Sequence, residues 1–366
     1  MKRSCFSLVT TVLTAVFLLT PLSTSAADTI KFKVQSALVS GSMYFNLLES
    51  FAERLKLMSG GRLEAEILPA GAVVKANEIL DAVDQGVVEA GFCWPHFWSG
   101  KHPAAYLFSD QPSVNGMDQL GFLAWYYEGE GYQLYQELYD DHLKANVKGF
   151  IILVSGGQPL GWFKEPINSL EDFRKLKYRA PPGLTGVIFK EMGISAVALP
   201  GEEIVPAAQK GVIDAAEWIN PGEDIKLGLQ QVWKNYYLQG FHQASDLGEI
   251  LFNKDFWNKL PPDLQAIMEG AARASVLEAI TANIYRNAVA LNQLQSEYGV
   301  TIYDTPQDLY PEFLRAAAKV TDDAAKDNAF FKKVLDSQRQ FADTIVPYWT
   351  KLLGLYHSIG DSALGK

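Results

Sequence analysis

A strand pattern followed by a helix pattern recurs along the first two thirds of the chain. Residues 31–34 alternate polar and apolar side chains, and residues 44–58 then place apolar side chains three or four positions apart until Gly60-Gly61. Further strand and helix patterns continue through residues 63–92. Because parallel strands need crossover connections, this order predicts a mainly parallel sheet with helices on its faces.

The same arrangement returns in the middle of the chain. Residues 207–215 match residues 82–90 at four of nine positions, with strand and helix patterns around them in the same order. We interpret the recurrence as two similar α/β lobes, which leave a cleft of the kind that binds small ligands. The first lobe is predicted over 28–150 with part of 243–290, and the second over 151–242 with part of 291–325.

Two long helix patterns follow the lobes. One opens at Pro261-Pro262 and covers 262–298, which is long enough to span both lobes. The other is an amphipathic tail over 328–366. This tail either docks on its own chain or contacts a second copy.

The first 27 residues have the pattern of a secretory signal peptide. Lys2-Arg3 precede an apolar stretch over 6–22, and small residues around position 26 suit cleavage. The alternative is an N-terminal membrane anchor, although the stretch is short for a bilayer span. Export to the periplasm would leave Cys93 as the single cysteine, so we expect a small buried side chain there and no intramolecular disulfide.

Charge and motif content exclude several classes of protein. Lys and Arg number 32 against 42 Asp and Glu, a net charge of −10. Loss of Lys2 and Arg3 lowers the basic count to 30 and the net charge to −12, which disfavours a nucleic acid partner. The chain has no Gly-x-Ser-x-Gly, GxxxxGK[ST] or His-Glu-x-x-His motif, and no catalytic residue is predicted.

Polar residues follow three predicted strands at their carboxyl ends, where ligands collect in parallel sheets. Gln158 follows the first of these strands, Arg179 ends the second, and Glu217-Trp218 end the third. An arginine can hold a carboxylate by two parallel hydrogen bonds, and a plain salt bridge is the alternative.

Glu217 would repel a bound carboxylate unless a cation lay between them. A ligand carboxylate, Glu217 and Arg179 together leave one negative charge, which favours sodium over calcium. Gln158 and the Trp218 carbonyl would add the hard oxygen ligands that either ion prefers.

Four stretches around these residues resemble a known family. They are Gln158-x-x-Gly161-Trp162-Phe163, Leu176-Lys177-Tyr178-Arg179, Gly211-x-Ile213-Asp214-Ala215-Ala216-Glu217-Trp218 and Lys226-Leu227-Gly228. The chain resembles the solute-binding proteins of TRAP (tripartite ATP-independent periplasmic) transporters, in particular the branch that binds 2-oxo and 2-hydroxy monocarboxylates such as pyruvate and lactate. The resemblance implies that Arg179 grips the ligand carboxylate, and that Gln158, Glu217 and the Trp218 carbonyl coordinate sodium or calcium. It also implies a homodimer in which the C-terminal helix swaps between protomers.

The sequence differs from that branch at three places, which are expected to face the side of the ligand opposite its carboxylate. They are Gln35-Ser36, Val114-Asn115-Gly116-Met117 and Ser155. Four further residues could line that side or could simply pack in the interior, and they are His242, Gln243, Phe97 and Trp98.

We therefore expect an α/β, bilobed periplasmic-binding-protein fold with two parallel-rich sheets, a long lobe-spanning helix and a C-terminal helical tail. Its function would be to capture an organic monocarboxylate with a cation and deliver it to the TRAP membrane permease. The alternatives are an exported cation-dependent enzyme acting on a 2-oxo acid and a ligand-sensing protein for a membrane receptor. The enzyme would need a general base, and Asp214 is poorly placed because, three residues from Glu217 on a strand, it faces the opposite side.

Overall fold

A computed structural model describes residues 29–110, 115–181 and 183–365. The predicted signal peptide lies outside these residues, as does Val114. Within the described ranges, no helix combines the length and apolar character needed to cross a membrane.

The described residues form eleven strands in two sheets. In chain order the strands are β1 (Ile30–Ser36), β2 (Leu63–Leu68), β3 (Ala90–Cys93), β4 (Val147–Val154), β5 (Gly161–Phe163), β6 (Lys177–Arg179), β7 (Ser195–Val197), β8 (Ala215–Ala216), β9 (Asn235–Tyr237), β10 (Leu247–Asn253) and β11 (Thr301–Tyr303). The first sheet has the order β2-β1-β3-β10-β4, and the second has the order β11-β9-β5-β8-β6-β7.

Helices cover the faces of both sheets. In chain order they are α1 (Met43–Met58), α2 (Ile79–Asp84), α3 (Gln119–Glu128), α4 (Gly131–Glu137), α5 (Leu170–Arg174), α6 (Leu184–Glu191), α7 (Gly201–Gln209), α8 (Pro221–Leu227), α9 (Lys254–Lys259), α10 (Pro262–Ser296), α11 (Leu309–Asp327) and α12 (Ala329–Ala363). Helix α1 begins where the Ser42 hydroxyl accepts a hydrogen bond from the Phe45 amide at 3.1 Å, which is an N-cap.

The sheets are mixed, and less parallel than the element order predicts. Strand β1 pairs parallel with β2 and β3, but β10 runs antiparallel to both β3 and β4. Strand β5 likewise runs antiparallel to β8 and β9. The difference arises because β10 returns to the first sheet from the second, a long-range connection that local patterns do not record.

Strand β3 also begins later than the apolar run from Val87 suggests. Gly86 has a φ of +70°, and the Val87 amide donates to the Ala82 carbonyl at 2.8 Å, so these residues form a turn that closes α2. Cys93, at the end of β3, is fully buried, which confirms its prediction as a small interior side chain.

Each sheet has its own hydrophobic core. One cluster surrounds the first sheet, and two clusters cover the second. We call the first sheet with its packed helices lobe I and the second sheet with its helices lobe II; the exact lobe boundaries stay a prediction. Helix α10 contributes Met268 and Val276 to the lobe I core and Leu294 to lobe II, so one helix spans both, as predicted.

The C-terminal helix α12 divides into two unlike halves. Phe331, Val334 and Leu335 near its start are buried in the lobe I core of the same chain. Beyond Trp349, apolar side chains are exposed, for example Leu355 at 60%. The first half is therefore part of the fold of one chain, and the second half is not.

Candidate functional site

Arg179 and Glu217 form a buried ion pair at the end of the second sheet. Arg179 ends β6 and pairs in register with Ala216 of β8, so Glu217, the next residue, comes beside it. The Arg179 Nη1 donates to Glu217 Oε1 and, at 3.0 Å, to the Glu217 carbonyl oxygen. Arg179 is 4% exposed and Glu217 is 1% exposed. The two charges therefore meet inside the protein, away from water.

The remaining nitrogens of Arg179 also have protein partners. Its Nε and Nη2 donate to the Leu199 carbonyl at 3.1 and 3.0 Å, and its guanidinium carbon lies 5.4 Å from the Trp218 ring centroid. A guanidinium has five N–H donors, and these hydrogen bonds use all but one of them. Arg179 can therefore grip a carboxylate with two hydrogen bonds only after Glu217 Oε1 moves away from it.

Two buried oxygens lack hydrogen-bond partners within the described part of the chain: Glu217 Oε2, directly after β8, and Gln158 Oε1, three residues before the start of β5, which pairs with β8. Leaving buried acceptors unpaired is costly unless a ligand or ion satisfies them. Both are hard oxygens of the type that sodium and calcium prefer. The described residues contain no group of three or more His, Cys, Asp or Glu that could hold a metal, so a cation here would rely on mixed oxygen donors.

Two glycines permit the close approach of the chains that carry these oxygens. A Cβ at Gly161, whose φ is +107°, would lie 2.3 Å from the Ala216 carbonyl oxygen and 2.7 Å from the Glu217 Cα. A Cβ at Gly240 would lie 1.9 Å from the Gln158 carbonyl oxygen. Only glycine fits at either position without displacing the site.

Burial dominates the electrostatics of the site. It raises the pKa of Glu217 to about 8, against the opposing effect of the Arg179 charge. Burial also lowers the pKa of His242 to about 3, and the Arg179 charge acts in the same direction. Burial therefore disfavours the ionised form of Glu217 unless a positive charge compensates it, and it favours a neutral imidazole at His242.

Comparisons with known proteins identify the family of the chain. The family described as bacterial extracellular solute-binding protein, family 7 (DctP), matches residues 35–328. The chain belongs to this family. It is a TRAP-type solute-binding receptor of the cell exterior rather than an enzyme, and the resemblance noted in the sequence is confirmed.

Relatives of this receptor bind small organic acids. A monocarboxylate 2-oxoacid-binding periplasmic protein of Nostoc sp. is 33% identical over 321 residues, covering 86% of this chain and 85% of that protein. A TRAP periplasmic solute-binding protein from Pseudoalteromonas atlantica, solved with bound sodium and pyruvate, is 27% identical with a TM-score of 0.80, covering 90% of this chain and 98% of that one.

A third relative carries a different cation. The TRAP solute-binding protein from Bordetella bronchiseptica, a mixed-occupancy dimer with copurified calcium and picolinate, is 25% identical with a TM-score of 0.83 and covers 92% of this chain and 99% of that one. The structural matches confirm the bilobed fold, and the relatives differ in whether sodium or calcium is bound.

In this receptor, His242 and Gln243 lie in the segment that returns from β9 to β10. The Gln243 carbonyl accepts from the Gln158 amide at 3.0 Å, so this segment lies beside Gln158. Both His242 ring nitrogens and Gln243 Oε1 are buried without partners within the described ranges. The structure therefore places the segment that carries these two predicted ligand residues beside Gln158.

Trp98 and Phe97 lie elsewhere. The Trp98 indole N–H donates to Glu249 Oε1 at 2.8 Å inside the lobe I core, where the hydroxyls of Tyr135 and Tyr139 bind the same carboxylate. Phe97 is 37% exposed. No described contact joins either residue to Arg179, and their role toward a ligand stays a prediction.

Asp214, the residue weighed as an enzymatic base, has a structural partner. Its Oδ2 accepts a hydrogen bond from the Lys177 amide at 3.1 Å, at the start of β6. It therefore stabilises the pairing of strands in lobe II.

Contacts between the lobes include residues that sequence reasoning missed. Asp110 of lobe I accepts from the Thr185 hydroxyl of α6 at 3.0 Å and from Gln243 Nε2 at 2.9 Å. Burial raises the pKa of Asp110 to about 6. A single aspartate in a loop carries no sequence signal that could have identified this role.

A second set of contacts joins α1 to the start of α8. Asn220 Nδ2 donates to the Tyr44 hydroxyl at 2.7 Å, and the Met43 amide donates to Glu223 Oε1 at 3.1 Å. Asn220 also caps α8, since its Oδ1 accepts from the Glu223 amide at 3.1 Å. The lobes are thus joined by directional hydrogen bonds between α1 and the start of α8.

Proposed function

We propose that this receptor captures a 2-oxo or 2-hydroxy monocarboxylate together with a cation, by closure of its lobes, and delivers the ligand to the membrane permease of a TRAP transporter. The observation that carries the proposal is the buried Arg179–Glu217 pair, together with the unpartnered buried oxygens of Gln158 and Glu217. When bound, the cation would neutralise charge between Glu217 and the ligand.

The order in which the cation and the ligand bind follows from the hydrogen bonds that already occupy the Arg179 guanidinium. A cation at Glu217 Oε2 would draw the Glu217 carboxylate from Arg179, which frees Nη1 for the ligand carboxylate. Gln158 Oε1 and the Trp218 carbonyl would complete the protein's oxygen donors. Sodium fits the charge count, because one positive charge neutralises the sum of Arg179, Glu217 and a monocarboxylate.

Delivery requires that the receptor reach the periplasm and open again. Residues 1–27 are proposed as a cleaved signal peptide that provides the export step. The hydrogen bonds of Asp110 with Thr185 and of Tyr44 with Asn220 would stabilise the closed, loaded state and would break on release.

Calorimetry on the mature protein tests the function. In sodium or calcium we expect pyruvate and lactate to bind and to be recovered unchanged, because a receptor holds its ligand without reacting it. Propionate is the matched control, since it lacks the oxygen on carbon 2 that would share the cation, and it should bind at least about tenfold more weakly. Equal binding of propionate, or turnover of pyruvate near the roughly 1 s⁻¹ of a slow enzyme, would contradict the proposal.

The exposed half of α12 supports a homodimer. Leu355, Tyr356 and Ile359 are each more than half exposed, an apolar surface that a second copy could bury. A receptor ending at Trp349 should remain folded and become monomeric by light scattering, with the melting temperature little changed. A cut after Asp327 would instead remove buried core residues of α12 and should lower the melting temperature. A full-length monomer at micromolar concentration would rule out the dimer.

A further inference from the structure

The far end of the site contains buried polar atoms that the cation and the ligand carboxylate leave unused. We define this distal site as His242, Gln243 and Asp110, which are 0%, 4% and 1% exposed. The Gln158 amide donates to the Gln243 carbonyl at 3.0 Å, so the distal site adjoins the segment that carries the unpartnered Gln158 Oε1. A ligand that shares a cation with Gln158 would therefore extend toward the distal site.

We propose that the distal site recognises an uncharged hydroxyl group on the ligand, so that the preferred class is monocarboxylates hydroxylated at carbon 3 as well as oxygenated at carbon 2. The inference rests on the proposed function, since it assumes that the carboxylate binds at Arg179. It adds which chemical group the ligand carries at the end opposite its carboxylate.

Hydrogen bonding fixes which way the Gln243 amide points. Its Nε2 donates to Asp110 Oδ1 at 2.9 Å. The nitrogen faces Asp110 because a carboxylate oxygen accepts hydrogen bonds and the amide nitrogen is the donor. Thr185 donates its hydroxyl to the same carboxylate at 3.0 Å, which holds Asp110 in place. Gln243 Oε1 is therefore turned away from Asp110 as a buried acceptor that lacks a donor among the described residues.

The His242 ring is held by packing and not by hydrogen bonds. Its ring centroid lies 5.6 Å from that of Phe189 in α6 and 6.4 Å from that of Phe241. Neither ring nitrogen has a partner within the described ranges. A neutral imidazole offers one donor and one acceptor. With Gln243, the distal site therefore presents two acceptors and one donor.

Three kinds of ligand group can be compared with that pattern. A hydroxyl donates one hydrogen bond, to one of the two acceptors, and accepts one from the imidazole N–H, so it satisfies two of the three groups. A methyl group would leave the buried Gln243 oxygen and the His242 nitrogens unpaired, and a site built for a hydroxyl discriminates strongly against such an analogue. A second carboxylate would have no proton to donate and would lie near the Asp110 carboxylate. The distal site thus disfavours both apolar and dianionic ligands.

Matched pairs of ligands test the inference on the mature wild-type receptor. Calorimetry would compare hydroxypyruvate with pyruvate and glycerate with lactate at one sodium concentration. We expect the hydroxylated member of each pair to bind about tenfold or more tightly. His242→Phe keeps a ring between Phe189 and Phe241 and should reduce that preference to within about threefold.

Tyr44→Phe is the control, because it removes the contact between the lobes that Tyr44 makes with Asn220, and the hydroxyl of Tyr44 has no described bond to His242, Gln243 or Asp110. It should weaken both members of a pair equally and leave their ratio unchanged. If pyruvate and lactate bind but the hydroxylated ligands bind equally or more weakly, the distal-site inference is overturned and the proposed function stands. If none of the four acids binds, both fail. Should His242→Phe not fold, as judged by its melting curve, the wild-type ratios decide.

Discussion

Replacing Arg179 by methionine is expected to weaken binding of a monocarboxylate by roughly 30- to 4000-fold, corresponding to about 2–5 kcal/mol. The variant keeps much of the side-chain volume but leaves the ligand carboxylate buried without its charged partner. The variant lacks only the guanidinium that anchors the ligand carboxylate, so the cation should still bind to Glu217. Calorimetry with pyruvate in saturating sodium measures the change.

The same substitution also leaves Glu217 buried without its ion-pair partner, so stability must be measured separately. Arg174→Met is the matched control, since Arg174 also donates to a backbone carbonyl (Met192, 2.9 Å) and to carboxylates, but lies on α5. Its affinity for pyruvate should equal that of the wild type. A folded Arg179→Met protein with wild-type affinity would reduce Arg179 to a structural partner of Glu217.

The components of the site could be predicted from the sequence because strand ends are local features. Arg179 and Glu217 each follow a short strand pattern, and parallel strands bring such ends together. The direct ion pair between them could not be predicted, since it depends on the register that sets Arg179 opposite Ala216. Register is a property of two strands, and neither strand encodes it alone.

Contacts between residues far apart in the chain could not be predicted from the sequence for the same reason. Asp110 meets Thr185 across 75 positions, and Trp98 meets Glu249 across 151. An aromatic residue in a loop has the same pattern whether it faces a ligand or a buried carboxylate. The polar partner of its N–H group decides between the two, and only the fold reveals that partner.

The helices of the fold could be predicted from the sequence more readily than the directions of its strands. The long helix α10 and the tail helix α12 follow directly from apolar periodicity, and each begins within a residue of its predicted start. The antiparallel placement of β10 depends instead on how the chain crosses back between lobes. The charge balance of Arg179, Glu217 and a ligand carboxylate predicted the cation, and the resemblance to a family supplied the class of 2-oxo and 2-hydroxy monocarboxylates.

The cation and the ligand should each strengthen the other's binding, and Glu217→Gln should abolish this coupling. If the cation lies between Glu217 and the ligand, it binds the loaded state better than the free state, so by reciprocity the ligand binds more tightly when the cation is present. Glutamine keeps the shape of Glu217 but lacks the charge that holds the cation. Glu249→Gln is the control: it changes a buried carboxylate whose partners are Trp98, Tyr135 and Tyr139, and should leave the cation dependence unaltered.

Titrations of pyruvate in sodium, in calcium, and in choline with a chelator measure the coupling. Because burial raises the pKa of Glu217 to about 8, a cation that needs the ionised carboxylate must displace a proton below that pH. In the wild type, the apparent cation affinity should therefore rise by up to about tenfold per pH unit as the pH increases to about 8, and should level off above that pH. In Glu217→Gln the affinity should show no such rise. Equal pyruvate affinity in all three salts, together with normal binding by Glu217→Gln, would show that no cation takes part. Glu217 would then serve only to hold Arg179, and the two unpartnered oxygens would have to be satisfied by the ligand or by water.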